Sequence, residues 1–557
     1  MTSQGNTGTS AIDPNAWWRN AVIYQVYLRS FADGNGDGTG DLAGVRARLP
    51  YLAELGVDAL WFNPWYASPM ADGGYDVADY RRIDPAFGTL AEAEALIAEA
   101  HAAGLRIIID IVPNHCSDKH AWFQEALAAG PGAEVRDLFW FRPGRGEHGA
   151  LPPNEWQSVF GGPAWTRTLN PDGSPGEWYL HLFAPEQPDL NWGNAKVREE
   201  HENVLRFWFD RGVDGVRIDS ATMPAKDPAL PDFDPLRPPA PHPFIDRDEV
   251  HEIYREWRAL AQSYPRPRAL IGEVWLDKPE RFAAYLRADE MHTAFNFDYL
   301  NCPWNGPALR AVIDATLAAH APVGAPPTWV LSNHDVTRHV TRYGRADTSY
   351  GMATRQHGTP TDLALGTQRA RAALLLNLAL PGSCYLYQGE ELGLWEVEDI
   401  PAELREDPIY HRSNGADIGR DGCRVPLPWS GSHAPFGFSP NGANATPWLP
   451  QPASWAEHTA AALTSKPDSI LRFYQAAIAT RHAEPALRTE HDQPVEWLSG
   501  ADDPVLHFRR GDSFDCVVNT GTEPVSLPAG RLVVLASGPL PTGDDILPAD
   551  TAVWLRA

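Results

Sequence analysis

The chain has 557 residues, of which 43% are hydrophobic and 21% charged, a composition typical of a large globular protein. Its 72 acidic residues outnumber the 46 lysines and arginines, and the net charge of −26 argues against binding to nucleic acid or to an anionic membrane surface. No apolar run approaches the roughly 20 residues that span a bilayer. The first residues lack a signal-peptide pattern, and the five cysteines show no paired spacing. We therefore expect a cytoplasmic protein with reduced thiols.

Eight short apolar runs, rich in β-branched and aromatic residues, alternate with helical patterns. The runs are Ala21–Phe31, Val57–Pro64, Leu105–Val112, Val213–Ser220, Ala269–Trp275, Ala294–Leu300, Trp329–Ser332 and Ser383–Gln388. The clearest helices are Leu90–Ala103, Arg369–Leu380 and Ser469–Arg481. This alternation favours an α/β protein with a parallel sheet, and eight strands predict a (β/α)8 TIM barrel, in which chemistry takes place at the carboxyl ends of the strands.

The spacing of these elements predicts three units. The third and fourth runs are separated by far more residues than an ordinary loop contains, which indicates an inserted subdomain. Near the end of the chain, short alternating runs separated by Gly and Pro predict a small antiparallel β-sandwich domain. The expected units are the barrel (1–114 and 188–485), the inserted subdomain (115–187) and the C-terminal β domain (486–557).

Polar residues stand at the carboxyl ends of four of the predicted strands. They are Asp110, Asn114 and His115 at the end of the third, Arg217 and Asp219 at the end of the fourth, Glu273 at the end of the fifth, and Asn333, His334 and Asp335 after the seventh. In a barrel these strand ends meet at one mouth, so Asp219, Glu273 and Asp335 are expected to lie together. Taken singly, each carboxylate is better explained as a salt bridge or a helix cap, and each histidine as a structural residue. Four polar sets at four strand ends make coincidence a poor explanation.

Two of these carboxylates are expected to differ in their protonation. Arg217 and Asp219 are two residues apart on a strand and share a face, so the guanidinium can keep Asp219 ionised, as a nucleophile requires. Glu273 lies beside apolar Val274 and Trp275, surroundings that raise a carboxyl pKa and suit a general acid. Such a pair is the working pair of glycoside hydrolysis, and a separation of roughly 5–5.5 Å predicts a covalent intermediate and retained configuration.

The four segments resemble the four signature regions of glycoside hydrolase family 13, the α-amylase family. The likeness extends over most of the chain, from Ile23-Tyr-Gln-Val-Tyr27 to Tyr385-Leu-Tyr-Gln-Gly-Glu390. Gln187-Pro-Asp-Leu-Asn191 resembles the fifth region of its oligo-1,6-glucosidase and α-glucosidase branch.

The resemblance implies a role for each strand-end residue. Asp219 is implied as the nucleophile and Glu273 as the acid/base. Asp335 is implied as a third carboxylate that binds sugar hydroxyls and favours the distorted ring. The other residues implied to hold the same glucose are His115, His334 and Arg217.

A second set of residues is similar to the glucose pocket of that branch. By the resemblance, Tyr75 stacks on the glucose, and Asp72 binds the hydroxyls of the non-reducing end while pairing with an arginine. That arginine is expected from Arg420-Asp-Gly-Cys-Arg424, with Arg424 preferred over Arg420, although the following Pro-Leu-Pro-Trp departs from the branch's Pro-Met-Gln-Trp. Such a pair would admit only a chain end and make the enzyme exo-acting; the alternative is an ordinary surface salt bridge. Phe160 and Ser220 complete the expected substrate-binding residues.

The segment Asp33-Gly-Asn-Gly-Asp-Gly-Thr-Gly-Asp41 places oxygen ligands at every second position, which suits a hard cation. Gly44 occupies the twelfth position, where an EF-hand has Glu, so the segment is not an EF-hand. The equivalent loop of the branch binds a structural Ca²⁺. The implied ligands are Asp33, Asn35, Asp37, the carbonyl of Thr39, and Asp41. A Gly/Asp-rich turn without metal is the alternative, and no organic cofactor is expected.

The preferred linkage depends on the residue that follows the nucleophile. In the branch this residue tends to be Val in α-1,6-specific enzymes and smaller or polar in α-1,4-acting ones, and here it is Ser220. We therefore expect an exo-acting retaining α-glucosidase that releases terminal α-1,4-linked glucose from maltose and short malto-oligosaccharides.

Other functions remain open at this point. The alternatives are a glucosyl transferase or isomerase (sucrose isomerase or trehalose synthase-like) and an oligo-1,6-glucosidase. A non-catalytic partner of an amino-acid transporter is disfavoured, because all three carboxylates are present and no membrane anchor is recognisable. The expected partner is a small α-glucoside, and the oligomeric state is left open.

Overall fold

The computed structural model describes residues 14–170, 172–351, 355–443, 445–488, 494–541 and 545–557. Within these ranges the strands are β1 (Val22–Val26), β2 (Ala59–Phe62), β3 (Tyr66–Ala67), β4 (Asp79–Ile83), β5 (Arg106–Ile111), β6 (Phe141–Arg142), β7 (Trp165–Leu169), β8 (Pro175–Leu180), β9 (Gly215–Ile218), β10 (Ala269–Gly272), β11 (Thr293–Ala294), β12 (Thr328–Val330), β13 (Ser383–Tyr387), β14 (Glu496–Trp497), β15 (Val505–Arg510), β16 (Phe514–Asn519), β17 (Val525–Ser526), β18 (Leu532–Ala536), β19 (Ile546–Leu547) and β20 (Thr551–Arg556). The α-helices are α1 (Leu42–Leu55), α2 (Leu90–Ala102), α3 (Ala121–Ala129), α4 (Ala195–Asp210), α5 (Val250–Gln262), α6 (Pro279–Ala284), α7 (Phe297–Asn301), α8 (Gly306–His320), α9 (His339–Tyr343), α10 (Leu363–Ala379), α11 (Pro408–Arg412), α12 (Ala460–Thr464), α13 (Ile470–Ala483) and α14 (Pro485–Arg488).

Eight of these strands form one parallel sheet in the order β11-β10-β9-β5-β2-β1-β13-β12. Side chains join its two outer strands: the Thr328 hydroxyl donates to the Ala294 carbonyl at 2.6 Å, and the Thr293 hydroxyl donates to the Pro326 carbonyl at 3.0 Å. The sheet is therefore a nearly closed barrel, and the predicted TIM-barrel fold is confirmed.

The barrel strands are buried on both faces, which explains why they are continuous apolar runs without polar alternation. One alternate set of side chains, including Ile23, Trp61 and Tyr385, packs together in one cluster. Their strand neighbours, such as Tyr24 and Leu60, belong to a second, larger cluster with the apolar faces of the helices. This double burial fixes the strand register, and with it the position of each strand end.

The sixth predicted strand, Ala294–Leu300, is mostly wrong. Only β11 is extended there, and α7 follows it directly. The physical reason is Asn296, whose side chain accepts the Tyr299 backbone N–H at 3.0 Å and caps the helix.

Two further sheets lie outside the barrel. Strands β6, β8 and β7 form a three-stranded sheet within the segment predicted as an insertion. Strands β14, β15, β16, β20 and β18 form an antiparallel sheet near the end of the chain, which contacts α10 through the Trp554 indole N–H and the Leu375 carbonyl at 3.1 Å. Of the helices that the structure describes, none has the length and apolar character that a bilayer crossing requires.

Candidate active site

Three strand ends bring three carboxylates to one arginine, a group termed here the Arg217 cluster (Arg217, Asp110, Asp219 and Glu273). Arg217 lies opposite Asp110 in the register of β9 and β5. Its Nη1 donates to Asp110 Oδ1 at 3.0 Å and to Asp219 Oδ1 at 2.8 Å. Its Nη2 forms an ion pair with Glu273 Oε2 at 2.7 Å. The predicted Arg217–Asp219 contact is present, and the same guanidinium also holds Glu273.

One cation among three buried carboxylates leaves an excess of negative charge, so the cluster favours bound protons. Burial raises the pKa of Glu273 to about 7, against the opposing effect of Arg217. Burial raises the pKa of Asp110 to about 8, again against Arg217. Burial also raises the pKa of Asp219, and the Arg217 hydrogen bond offsets part of that rise. Arg217 thus favours the charged form of Asp219 as predicted, but burial has the larger effect.

A strained turn links the ends of β9 and β10. Ser220 has a φ of +45°, in the left-handed region that a residue with a side chain rarely adopts. In this conformation its backbone N–H donates to Glu273 Oε2 at 2.8 Å, and the next residue, Ala221, donates its N–H to the Glu273 carbonyl at 3.0 Å. The turn therefore fixes the position of Glu273 relative to Asp219.

Tyr75 and His334 lie against each other beside the Arg217 cluster. Their rings are parallel within 6°, with centroids 5.3 Å apart. The Tyr75 hydroxyl donates to Asp110 Oδ2 at 2.8 Å. The Gln25 amide lies 2.8 Å from His334 Nδ1, which places the ring proton on Nε2, where the Tyr75 hydroxyl oxygen lies at 2.8 Å. Asp335 Oδ2 lies 3.2 Å from the same nitrogen. Burial lowers the pKa of His334, so the ring is neutral.

Asp335 belongs to a second group, the Arg420 cluster (Arg420, Arg424, Asp72, Asp335 and Asp407). Asp335 Oδ1 accepts hydrogen bonds from Arg420 Nη1 at 3.1 Å and from Arg424 Nη2 at 2.9 Å. Burial alone would raise the pKa of Asp335, but the guanidinium groups of Arg420 and Arg424 outweigh burial and hold it well below the ordinary range. Asp335 is therefore an ionised carboxylate at any ordinary pH.

The predicted preference for Arg424 as the partner of Asp72 is wrong. Arg420 Nη2 donates to Asp72 Oδ1 at 2.6 Å, whereas Arg424 Nε donates to the His334 carbonyl at 2.8 Å. The short 3-10 turn Asp421–Cys423 separates the two arginines, so each is held by different partners. The Arg420 side chain is fixed by Asp407, which accepts from its Nε at 2.7 Å.

Sequence reasoning assigned no role to Asp407 or Gln187, and both are structurally central to the site. Asp407 binds Arg420 through both carboxylate oxygens, at 2.7 and 3.0 Å. The Gln187 amide nitrogen lies 3.1 Å from Asp72 Oδ2 and 3.1 Å from His115 Nε2. Gln187 was recognised only as part of a motif. Asp407 follows no predicted strand, so no sequence signal marked it.

The remaining predicted pocket residues lie in the same region. Burial lowers the pKa of His115 to about 4, so its ring is neutral. Its Nδ1 lies 3.2 Å from the Asn114 amide. The Phe160 ring centroid lies 5.2 Å from the Arg420 guanidinium carbon, so Phe160 borders the Arg420 cluster. The fully buried Lys226 Nζ lies 2.8 Å from Asp189 Oδ2, a balanced ion pair that was not foreseen.

The predicted calcium loop is a series of turns. Asp33 accepts the backbone N–H groups of Gly36 and Gly38, at 2.6 and 2.9 Å. Asp41 caps α1 by accepting the Gly44 N–H at 2.6 Å. Within the described ranges, no group of three or more His, Cys, Asp or Glu side chains is arranged to hold a metal ion. Calcium binding by this loop stays a prediction.

The family described as "Alpha amylase, catalytic domain" matches residues 25–490. This chain belongs to the α-amylase family. The resemblance drawn from its motifs is thereby confirmed, and the chain is a glycoside hydrolase.

Similar members of the α-amylase family carry several activities in their names. A "Probable alpha-glucosidase" of Rhizobium meliloti (strain 1021) is 37% identical, over 95% of this chain and 94% of the relative. An "Oligo-1,6-glucosidase" of Parageobacillus thermoglucosidasius is 34% identical over 86% and 84%. The "Trehalose-6-phosphate hydrolase" of Escherichia coli (strain K12) is 34% identical over 97% and 99%.

Solved structures of α-amylase-family proteins match the whole fold. The "alpha-glucosyl transfer enzyme, XgtA" is 35% identical with a TM-score of 0.82, over 97% of this chain and 99% of that one. The isomaltulose synthase (PalI) from Klebsiella sp. LX3 is 29% identical with a TM-score of 0.83, over the same shares. The chain is thus similar in sequence to proteins named as hydrolases and in structure to proteins named for glucosyl transfer and isomaltulose synthesis, and overall similarity does not separate these activities.

Proposed function

We propose that this glycoside hydrolase is an exo-acting retaining α-glucosidase that releases terminal α-1,4-linked glucose from maltose and short malto-oligosaccharides. The observation that carries the proposal is the Arg217 guanidinium, which holds Asp219 and Glu273 at 2.8 and 2.7 Å from two nitrogens of one planar group. Both carboxylates therefore face one small space, as a double displacement at one carbon requires.

In the first step, protonated Glu273 gives its proton to the glycosidic oxygen while an Asp219 oxygen attacks the anomeric carbon. The bond from that carbon to the leaving sugar breaks, and a glucosyl ester of Asp219 forms. In the second step, the Glu273 carboxylate takes a proton from water, whose oxygen displaces Asp219. Glucose leaves with its α configuration retained, and both acids return to their starting states.

The Arg420 cluster supports exo action. Arg420 ties Asp72 to Asp335 through hydrogen bonds of 2.6 and 3.1 Å, and all three residues are buried or nearly so. Gln187 links Asp72 to His115. A pocket bounded by these residues accepts the hydroxyl groups of a terminal glucose, and the ionised Asp335 presents a strong acceptor to them.

The second candidate function is glucosyl transfer, as a sucrose isomerase or trehalose synthase-like enzyme; α-1,6 hydrolysis is the third. The names of the solved structures favour transfer, whereas the names of the sequence relatives favour hydrolysis, as an α-glucosidase or an oligo-1,6-glucosidase. Transfer uses both carboxylates and differs only in the group that attacks the Asp219 ester, which is a sugar hydroxyl in place of water.

A substrate panel tests the proposal. Maltose, isomaltose, sucrose, trehalose, trehalose 6-phosphate and p-nitrophenyl α-glucoside are incubated with the enzyme, and products are followed by chromatography and NMR. We expect α-glucose to form first, and maltose to react faster than isomaltose. β-Glucose as the first product, or a disaccharide isomer as the major product, would overturn it.

We also propose that the loop from Asp33 to Asp41 binds a structural Ca²⁺. Its donor set is entirely oxygen, and among the described residues no arginine, lysine or histidine forms an ion pair with Asp33, Asp37 or Asp41. Adding Ca²⁺ to chelator-treated enzyme should raise its melting temperature, and Asp37→Asn should reduce that gain. An unchanged melting temperature would contradict the proposal.

A further inference from the structure

We propose that Trp275 is a positioning residue that holds the Glu273 carboxyl with one oxygen free to deliver its proton. The proposal rests on the proposed role of Glu273 as the acid/base. Trp275 follows β10 by three residues, and its indole N–H donates to Glu273 Oε1 at 3.0 Å.

The two oxygens of Glu273 have unequal surroundings. Oε2 lies 2.7 Å from the positively charged Arg217 Nη2 and accepts the Ser220 backbone N–H at 2.8 Å, so a proton on this oxygen would meet both a cation and a hydrogen-bond donor. A proton on the carboxyl group must therefore reside on Oε1. The Trp275 indole, which can donate but not accept, occupies one side of Oε1. The other side is left for the proton that the leaving sugar receives.

Stacking holds the indole in place. The Trp275 and Phe297 rings are parallel within 6°, with centroids 3.5 Å apart. Both rings line a cavity of about 560 Å³. The indole is therefore not enclosed by protein atoms on every side, and packing alone does not fix its orientation. The stack and the hydrogen bond to Glu273 therefore determine its orientation together.

The test compares two leaving groups in the full-length enzyme. Fluoride departs from α-glucosyl fluoride with little need for a proton, whereas the glucose leaving maltose needs one. We expect Trp275→Phe, which keeps an aromatic ring but removes the N–H, to lower kcat for maltose about 10-fold. The comparison uses kcat/KM, because this constant reports formation of the glucosyl ester and excludes the second step, which both substrates share. The kcat/KM for maltose should fall about 10-fold as well, whereas that for α-glucosyl fluoride should fall less than about 3-fold, since general acid catalysis contributes little to its first step.

The pH profile provides a second readout. The indole N–H stabilises the Glu273 carboxylate, so its removal should move the descending limb of kcat/KM for maltose to higher pH. Trp178→Phe is the matched control, because it removes an indole N–H that donates to the Gly149 carbonyl at 3.0 Å in another sheet. That variant should leave the ratio of the activities on maltose and on α-glucosyl fluoride unchanged. It should also leave the pH profile unchanged.

The outcomes separate this proposal from the role of Glu273 itself. In Glu273→Gln, the loss of activity on maltose should exceed the loss on α-glucosyl fluoride by a larger factor than in Trp275→Phe. If Glu273→Gln shows the difference and Trp275→Phe does not, the positioning role is wrong and the acid role stands. If neither shows it, the acid role is wrong. Equal losses on both substrates in Trp275→Phe would also overturn the proposal, and Trp275→His is assayed in the same way if that variant does not fold.

Discussion

The two buried ionic clusters at the mouth of the barrel both carry excess negative charge, but they differ in how much of it arginine balances. The Arg217 cluster has one arginine for three carboxylates, and burial raises the pKa of Glu273 to about 7 and that of Asp110 to about 8. The Arg420 cluster has two arginines for three carboxylates, and its cations hold the pKa of Asp335 and of Asp407 well below the ordinary range, although burial opposes them. The first cluster favours bound protons, whereas Asp335 and Asp407 of the second cluster stay ionised. Asp72 is the exception in the second cluster, because burial raises its pKa against the effect of Arg420 and Arg424.

This difference matches two different tasks. Proton transfer requires a group that is protonated near neutral pH, whereas binding of sugar hydroxyls requires acceptors that stay ionised. In the proposed mechanism, Glu273 of the Arg217 cluster performs the first task and Asp335 of the Arg420 cluster performs the second.

The largest expected effect is that of Asp219→Asn in the Arg217 cluster. An amide cannot form the glucosyl ester, so kcat for maltose should fall about 10⁴-fold or more while the fold is retained. Asp214→Asn is the matched control, because Asp214 precedes the same strand at its opposite end and pairs there with His101 at 2.7 Å. Near-normal turnover in Asp219→Asn would remove the basis of the proposed mechanism.

A smaller loss is expected from Arg420→Lys in the Arg420 cluster. Lysine keeps the charge but loses the planar fork that joins Asp72, Asp335 and Asp407, so kcat/KM for maltose should fall about 100-fold. Arg405→Lys is the control, because it makes the same change at an arginine that donates to the Ile418 and Glu398 backbone carbonyls, at 3.0 and 2.9 Å. If both variants lose activity equally, the effect is structural and the proposed role of Arg420 fails.

The pH dependence of activity separates the clusters without a substitution. Because Glu273 must be protonated in the first step and its pKa is about 7, kcat/KM for maltose should decline as the pH rises through 7. Asp335 contributes no limb between pH 5 and 9, since it stays ionised throughout. A kcat/KM that is constant up to pH 9 would contradict the assignment of Glu273.

The smallest expected effects concern stability. Asp110 has a folded-state pKa of about 8, above its unfolded value, so its contribution to the free energy of unfolding decreases as the pH rises from about 4 to 8. Asp407 has a lowered folded-state pKa, so its contribution is present above about pH 4 and is lost as the pH falls further. In urea unfolding, Asp110→Asn should reduce the decrease in the free energy of unfolding between about pH 4 and 8. Asp407→Asn should reduce the decrease that occurs below about pH 4. If Asp110→Asn changed only the decrease below pH 4 and Asp407→Asn only the decrease above it, the assigned directions of the two pKa shifts would be wrong.

The sequence predicted most of the barrel, because strands buried on both faces appear as continuous apolar runs. It failed at the sixth strand, where the apolar run Phe295–Leu300 serves a helix capped by Asn296. An apolar run of this length does not distinguish a buried strand from a buried helix.

The strand-end residues were also accessible from sequence, because parallel strands of one barrel place their carboxyl ends at one mouth. Asp219 and Glu273 could be paired on that ground alone. The loop residues could not be paired from the sequence. Asp72 and Arg420 are 348 positions apart, and only the folded loops determine which arginine reaches Asp72.

The sequence by itself thus determined the fold, the family and the chemical nature of the residues at the strand ends. The tertiary structure decided the pairing of Arg420, the contributions of Asp407 and Gln187, and the hydrogen bond from Trp275 to Glu273. The physical reason is that backbone periodicity governs where a strand ends. The partners of a loop side chain, and the burial that shifts its pKa, depend on contacts between distant segments.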